Sequence, residues 1–197
     1  TTHARNACFD LCKQLGFRFF LVLDDDYTTF SYSHKGNGSY DTRHLPVKEI
    51  DGVMDEYVSF LINSKSHSVS FAQGGDFIGG ENSGLWKNGL RRKCMNAWFC
   101  DTEKPFLFFS RLNEDVNTYL TLGTKGNLFL TPKFIRLEQQ RTQASEGGMT
   151  DAYLDNGTYV KSFYSVMYNP SFVKITTMGV KQRRLHHRIK WKNAVPC

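Results

Sequence analysis

Three consecutive carboxylates, Asp24, Asp25 and Asp26, directly follow an apolar segment at residues 17–23. Carboxylates that share one site repel each other, and a bound cation relieves that repulsion. Hard oxygen ligands of this kind favour Mg²⁺ or Mn²⁺. Ligands of open α/β sheets gather beyond the carboxyl ends of the strands, so this turn is a candidate metal and phosphate site. The alternative is a solvated acidic turn after a buried strand.

A second acidic pair, Glu114 and Asp115, follows Asn113. Asn113 is a suitable cap for a helix that begins at the two acids, and the helix dipole favours acids in a first turn. Capping alone therefore accounts for the pair. The functional alternative is that Glu114 or Asp115 reaches into a cleft as a general base.

Two adjacent histidines, His186 and His187, lie in a basic segment near the end of the sequence. A neutral imidazole is a good partner for a metal ion that two carboxylates already hold. The simpler interpretation is a pair of solvent-exposed side chains in a basic loop.

The net charge of +6 and the isoelectric point of about 9.1 permit binding to a polyanion without requiring it. The basic residues form two clusters, which suit DNA phosphates or an ordinary solvated surface. The first cluster contains Lys87, Arg91, Arg92 and Lys93, and the second contains Lys181, Arg183, Arg184, Arg188, Lys190 and Lys192.

Length and composition indicate one substantial domain over residues 1–197. Hydrophobic residues make up 40% of the chain and aromatic residues 14%, which excludes a disordered protein. No apolar run reaches about 18 residues, so we expect no membrane span. No signal peptide is recognisable, and because the chain opens on Thr1 rather than on Met we expect a fragment or a processed chain.

Cysteine usage favours free, mostly buried thiols in a reducing compartment. The number of cysteines is odd, and none of them shows paired Cys-X-X-Cys spacing: Cys8, Cys12, Cys94, Cys100 and Cys197. Cys8 and Cys12 lie one helical turn apart, which suits one helix face better than a disulfide. No cysteine–histidine cluster has the spacing of a zinc site.

The order of the elements predicts an α/β fold, because a helix at 3–15 runs directly into a buried central strand at 17–23. Residues 28–46 predict a loop, and residues 74–82 predict either a glycine-rich loop that approaches a substrate or a plain hairpin. Further helices are predicted from Pro46 to about Asn63, from Asn113 onward, and from Thr150 or Asp151 to about Tyr168. Further strands are predicted at 68–72, 94–99, 106–109, 128–130, 134–137, 172–176 and 188–191.

Four stretches, in this order and followed by the two late histidines, resemble the GT-A glycosyltransferases: 4–6, 23–27, 79–82 and 113–115. In that fold an aspartate–any–aspartate motif ends a central strand and holds a divalent metal on the donor diphosphate. The closest resemblance is to the TET-associated glycosyltransferase family of bacteriophages. It implies a GT-A-like mixed sheet flanked by helices. It also implies that the first βαβ part of the nucleotide-binding half is missing, which leaves the metal site and the acceptor half.

The resemblance also implies roles for individual residues. The metal ligands would be Asp24 and Asp26 for Mn²⁺ or Mg²⁺, with His186 or His187 completing the shell. Arg5, Asp24 and Asp25 would lie at the nucleotide-sugar donor, which we expect to be a UDP-sugar. Asp115 would be the catalytic base of an inverting enzyme, with Glu114 next in line. Lys87, Arg91 and Arg92 would contact DNA phosphates, and Tyr32, Tyr40, Trp86 and Trp98 are candidates for stacking on a base.

The implied function is metal-dependent transfer of a hexose or pentose to a hydroxymethylated pyrimidine base in DNA. The implied location is the cytoplasm, that of the host if a phage encodes the protein. Three alternatives stay open: a GT-A transferase that acts on a sugar, lipid or protein; a non-catalytic DNA-binding relative; and a metal-dependent nuclease. The sequence does not define the sugar, the base, the stereochemistry or the oligomeric state.

Overall fold

The computed structural model describes residues 2–95, 97–139, 159–178 and 184–194. The chain divides into two compact units. The first unit comprises Thr1–Ala7, Leu107–Asn127 and Thr142–Cys197, and the second comprises Cys8–Phe106 and Leu128–Arg141. The single domain predicted for residues 1–197 stays a prediction.

Helices and strands alternate along the chain. The described helices are α1 (Thr2–Gln14), α2 (Ile50–Asn63), α3 (Gly84–Asn88), α4 (Glu114–Gly123), α5 (Val160–Tyr168) and α6 (Trp191–Ala194). The described strands are β1 (Phe19–Val22), β2 (Tyr27–Tyr32), β3 (Ser68–Val69), β4 (Ala72–Gln73), β5 (Leu90–Arg91), β6 (Trp98–Asp101), β7 (Phe129–Pro132), β8 (Ile135–Gln139), β9 (Val173–Met178) and β10 (Arg184–Ile189).

Two sheets form the framework of the second unit. The larger sheet has the order β1-β6-β3-β7-β5, in which β3 and β7 are parallel and the other pairs are antiparallel. The smaller sheet has the order β2-β8-β4, in which β8 runs antiparallel to β2 and parallel to β4. The mixed strand directions and the flanking helices confirm the predicted α/β class.

Helix α1 ends where its sequence predicts. The amide of Phe17 donates to the carbonyl of Cys12, and the amide of Gly16 donates to that of Lys13, each at 3.0 Å. This pair of bonds closes the last turn only if Gly16 adopts a left-handed conformation, and its φ is 78°. The helix predicted at 3–15 is therefore confirmed to within one residue.

Helix α2 packs on the second unit's sheets through Tyr57 and Leu61. They join a buried cluster that also contains Val69, Phe71, Ala97, Phe99, Ile135 and Leu137. The ring of Tyr57 stacks on Phe99 at 5.1 Å between centroids. The helix ends at Asn63 as predicted, but it begins at Ile50 rather than at Pro46. Pro46 instead bridges to Ser31 of β2, so the chain before the helix is extended.

The predicted central strand at 17–23 is wrong in its position. Among the described strands, β1 lies at the edge of its sheet and pairs only with β6. The Arg18 guanidinium donates two hydrogen bonds, of 3.1 and 2.9 Å, to the Asp101 carboxylate. This pair helps to fix the register of β1 against β6. Phe17 and Leu23, at the two ends of the apolar run, are exposed.

Several other boundaries differ from the predictions. The segment predicted as a loop at 28–46 begins with strand β2, which forms a ladder with β8. Residues 106–109 are not a strand, although Phe106 and Phe108 are buried. The strands predicted at 94–99 and 188–191 are shifted to β6 and β10. The predicted start of a helix at Thr150 or Asp151 lies outside the described residues, whereas its predicted end at Tyr168 is confirmed.

In the first unit, α4 contacts α5, and α5 contacts the β9–β10 hairpin. The amide of Asn169, just after α5, exchanges hydrogen bonds of 3.2 and 3.3 Å with Thr121 of α4. Tyr119 of α4 stacks on Trp191 of α6 with a centroid distance of 6.1 Å. These contacts hold the C-terminal half of α4 against α5 and α6.

The described cysteines are free thiols, as predicted, and three of them are buried: Cys12, Cys94 and Cys100. Burial raises the pKa of the Cys94 thiol, which keeps it protonated and unreactive. No described helix combines the length and the apolar character that crossing a membrane requires.

Replacing Leu61 by alanine tests the α2 packing. Leu61 is 1% exposed, whereas its neighbour Ile62 is 44% exposed. We expect Leu61→Ala to lower the free energy of unfolding by about 3 kcal/mol, because it leaves a cavity in the cluster. Ile62→Ala should change it by no more than about 0.5 kcal/mol. Urea denaturation of both variants measures the difference, and equal losses would contradict this packing.

Candidate functional site

The acidic turn connects β1 to β2, and its central residue Asp25 is exposed. Asp24 and Asp26 are half-buried. The Asp26 Oδ2 atom accepts a 2.7 Å hydrogen bond from the side chain of Gln139. The Asp26 Oδ1 atom is buried and has no hydrogen-bond partner among the described residues. A buried carboxylate oxygen without a donor is costly, and a bound cation would remove that cost.

The carboxylate set of this turn suits a hard divalent cation. Among the residues that the structure describes, no three histidine, cysteine or acidic side chains form a preformed metal cage. Mg²⁺ commonly binds through one or two carboxylates together with substrate phosphates and water, so Asp24 and Asp26 fit such a site without a third protein ligand.

A hydrogen-bond network supports the strand that follows the turn. The side chain of Gln73 donates to the Tyr27 hydroxyl at 3.3 Å and to the carbonyl of Met95 at 3.4 Å. The backbone amide of Gln73 donates to the Asp76 carboxylate, which also pairs with Lys93. Tyr27 is therefore linked through Gln73 and Asp76 to the first basic cluster.

The glycine-rich segment is neither an open loop nor a plain hairpin. It forms two short 3₁₀ helices, Gly74–Phe77 and Gly80–Asn82. Gly79 and Gly80 have φ values of 95° and 60°, which favour glycine. A Cβ at Gly80 would also lie 3.4 Å from the Tyr40 ring. Gly79 and Gly80 therefore allow the compact turn at the junction of the two 3₁₀ helices.

In the first unit, α4 begins at Glu114 as predicted, but Asn113 does not cap it with its side chain. Asn113 has a left-handed backbone with φ of 57°. Its side-chain amide donates to Ser165 Oγ at 2.6 Å and lies 3.3 Å from His187 Nδ1. The capping prediction is thus wrong, since the amide is used to join the start of α4 to α5 and β10.

The two acids of α4 have different surroundings. Glu114 lies 3.4 Å from the Arg5 guanidinium, and both side chains are mostly buried. Arg5 also packs over the Phe108 ring, 5.6 Å from its centroid. Asp115 is buried, and its Oδ1 accepts a 2.7 Å hydrogen bond from the Val116 amide. Arg5, predicted at the donor phosphates, therefore neutralises Glu114 in this structure.

Side chains of α1 and of α4 bind the loop that leads into α4. Asn6 binds both backbone groups of Phe108, at 2.9 and 2.8 Å. The Thr2 hydroxyl donates to the carbonyl of Ser110 at 2.7 Å, and Asn117 donates to Ser110 Oγ at 3.0 Å. Ser110 has φ of 83°. Ser110 and Asn113 are thus both left-handed although neither is a glycine. Such residues persist only where surrounding contacts enforce their conformation, and this kind of strain is common at functional sites.

The two histidines lie in strand β10, not in a basic loop as predicted. His186 and His187 pair with Thr176 and Ile175 of β9. Through the contact with Asn113, the first unit brings His187 to the start of α4.

The first basic cluster is only partly exposed. Lys87 and Arg92 face solvent, whereas the Arg91 guanidinium packs so closely on Gly84 that a Cβ there would collide with it. Lys93 pairs with Asp76. In the second cluster Arg188, Lys190 and Lys192 are exposed. Lys181, Arg183 and the side chain of Arg184 lie outside the described residues.

A mixed α/β fold, an acidic turn after a strand and a buried acid at a helix start fit the class of glycosyltransferases. The family model described as TET-Associated Glycosyltransferase matches residues 1–148. The chain belongs to this family, which confirms the resemblance seen in the sequence. No curated protein and no solved structure matched the chain. The matched span includes the acidic turn, the first basic cluster and the two acids of α4, whereas His186 and His187 follow it.

The Arg5–Glu114 pair generates a stability prediction. Arg5→Gln leaves the mostly buried Glu114 carboxylate without its cation, so we expect the free energy of unfolding to fall by about 3 kcal/mol. The double variant Arg5→Gln, Glu114→Gln removes both charges and should recover most of that loss. Urea denaturation of the wild type, the two single variants and the double variant at neutral pH measures this double-mutant cycle. Additive changes in the free energy of unfolding would show that the two side chains do not interact.

Proposed function

We propose that this chain transfers a sugar from a nucleotide-sugar donor, a UDP-sugar, to a hydroxymethylated pyrimidine base in DNA. The family match over residues 1–148 carries the glycosyl-transfer chemistry. The basic surface supports the polyanionic acceptor, because the chain has a net charge of +6 and exposes Lys87 and Arg92. The host cytoplasm, where phage DNA is modified, is the proposed location.

Asp24 and Asp26 would hold Mn²⁺ or Mg²⁺, and Asp25 would lie beside the donor. The metal, when bound, supplies positive charge that stabilises the departing diphosphate. The unpartnered Oδ1 of Asp26 supports this assignment, because it leaves one carboxylate oxygen available for a cation. Gln139 holds the other oxygen and so limits the rotation of the carboxylate. A contribution of His186 or His187 to the metal shell stays a prediction.

Asp115 would act as the general base that takes the proton of the acceptor hydroxymethyl group in an inverting reaction. Two features support Asp115 over Glu114. Arg5 neutralises Glu114, and Asp115 is placed by the strained loop that ends at Asn113.

The experiment that tests this function combines the protein with UDP-sugars, Mn²⁺ and DNA that contains hydroxymethylated pyrimidines. Mass spectrometry of the digested nucleosides detects a sugar adduct. Transfer to another acceptor that excess DNA does not inhibit would favour the transferase of a sugar, lipid or protein. Nicked plasmid without any donor would favour the nuclease.

Asp26→Ala should lower metal-dependent transfer at least about a hundredfold, because the metal's charge stabilisation is worth several kcal/mol. Binding of Mn²⁺ in the presence of UDP, followed by electron paramagnetic resonance, should weaken in parallel. The matched control is Asp55→Ala, which removes an exposed carboxylate from α2. Normal turnover and normal Mn²⁺ binding by the Asp26 variant would contradict the assignment of Asp26 as a metal ligand.

Asp115→Asn should leave donor binding unchanged and lower transfer by about 10²- to 10⁴-fold, the usual contribution of a general base. Single-turnover kinetics on pre-bound donor separates the two effects. Glu114→Gln serves as the comparison, and we expect a smaller loss from it. If Asp115→Asn transfers at the normal rate while Glu114→Gln does not, Glu114 is the base.

A further inference from the structure

The second unit exposes a phenylalanine among cations, and no sequence argument identified it. Phe134 lies between β7 and β8 and is 51% exposed. Lys133 precedes it in the chain. We name the surface formed by Lys87, Arg92, Lys133 and Phe134 the basic–aromatic face.

Backbone contacts bring together the chain segments that carry these residues. The amide of Lys133 donates to the carbonyl of Gly89 at 3.2 Å. Leu90 of β5 pairs with Pro132 of β7, which aligns the two connections. The turn that contains Phe134 therefore runs alongside Gly89, which joins α3 to β5. Lys87 lies in α3, and Arg92 follows β5.

A backbone bond and a ring contact position Phe134. The Ser33 amide donates to the Phe134 carbonyl at 2.9 Å, which fixes the backbone. The His34 ring meets the Phe134 ring at 87°, with 5.7 Å between centroids. An aromatic ring that is supported at one side and half-exposed is the arrangement of a stacking platform.

The other aromatic candidates are less accessible. Trp98 is 0% exposed, so it cannot meet a base. The Trp86 ring carries the Lys133 ammonium 4.2 Å from its centroid and meets the Tyr40 ring at 5.0 Å. Tyr40 itself packs against Phe77. Burial therefore excludes Trp98, whereas Phe134 is more exposed than Tyr32, Tyr40 and Trp86.

We infer that the basic–aromatic face binds single-stranded or locally unstacked DNA, with a base stacked on Phe134 and flanking phosphates at Lys87 and Arg92. Stacking tolerates any base because each has a π face, and lysine and arginine supply the electrostatic track. This inference rests on the proposed DNA acceptor and extends it to a contact outside the reacting atoms.

Strand β8 also separates Phe134 from the acidic turn. Phe134 immediately precedes β8, and Gln139, the partner of Asp26, ends it. Five residues of strand span about 17 Å. Phe134 would therefore stack on a base other than the modified one, and it would influence sequence context rather than the chemical step.

The test measures the binding of a fluorescein-labelled, single-stranded pyrimidine oligonucleotide by anisotropy at several salt concentrations, without donor or metal. Phe134→Leu should weaken binding about tenfold, because it removes the π face and keeps the apolar side chain. Phe134→Trp should retain the wild-type affinity. Phe134→Leu should leave the salt slope unchanged. Lys87→Gln and Arg92→Gln should each lower the slope of log K against log salt by about 0.7.

The matched control is Phe17→Leu, because Phe17 is 64% exposed in the same unit and lies outside the basic–aromatic face. It should bind DNA with wild-type affinity. Thermal unfolding of each variant checks that the fold is retained. Wild-type affinity of Phe134→Leu overturns the stacking contact. Salt slopes that neither charge variant changes overturn the phosphate contacts, and heparin binding that matches DNA binding in every variant overturns the choice of DNA.

This binding assay is independent of sugar transfer. If Phe134→Leu loses affinity while the wild type transfers no sugar to DNA, the DNA-binding face stands and the proposed function fails. If the wild type glycosylates DNA while Phe134→Leu binds normally, the proposed function stands and the inference fails.

Discussion

The antiparallel pairing of β2 with β8 is the interaction on which the functional features of the second unit depend. It sets Tyr27 opposite Gln139, and Gln139 reaches one oxygen of Asp26. In β8, Ile135 and Leu137 are buried in the core. The same alternation that buries these two side chains fixes the register, because a slip of one residue would expose them. Core packing therefore determines where the acidic turn is held.

Two partly buried carboxylates, Glu114 and Asp26, are compensated differently. Glu114 is matched with a mostly buried guanidinium from Arg5, so its charge is compensated within the fold. Asp26 has one oxygen bonded to Gln139 and one buried without a partner among the described residues. The first arrangement stabilises the folded chain, whereas the second leaves one carboxylate oxygen available to a further partner. This contrast separates a structural acid from one suited to a cation.

The start of α4 shows how the fold maintains strain. Ser110 and Asn113 are both left-handed without being glycine. The polar side chains of Thr2, Asn6 and Asn117 bind the loop backbone or its hydroxyl, and together they outweigh the local cost. The Asn113 side chain does not form the capping bond that its sequence position suggests. It contacts the side chains of Ser165 and His187 instead. The position of the acids of α4 is thus a tertiary property.

The sequence by itself determined the features that depend on neighbouring residues. Helix α1 with its glycine stop, the end of α2 at Asn63, the start of α4 at Glu114 and the family were all predicted correctly. Hydrophobic period, glycine at a left-handed turn and short motifs are local signals. Tertiary structure decided the edge position of β1, the pairing of β2 with β8 and the burial of Trp98. It also joined Asp26 to Gln139 and Arg5 to Glu114, pairs separated by more than 100 positions. No local pattern encodes such pairs, because packing of the whole unit selects them.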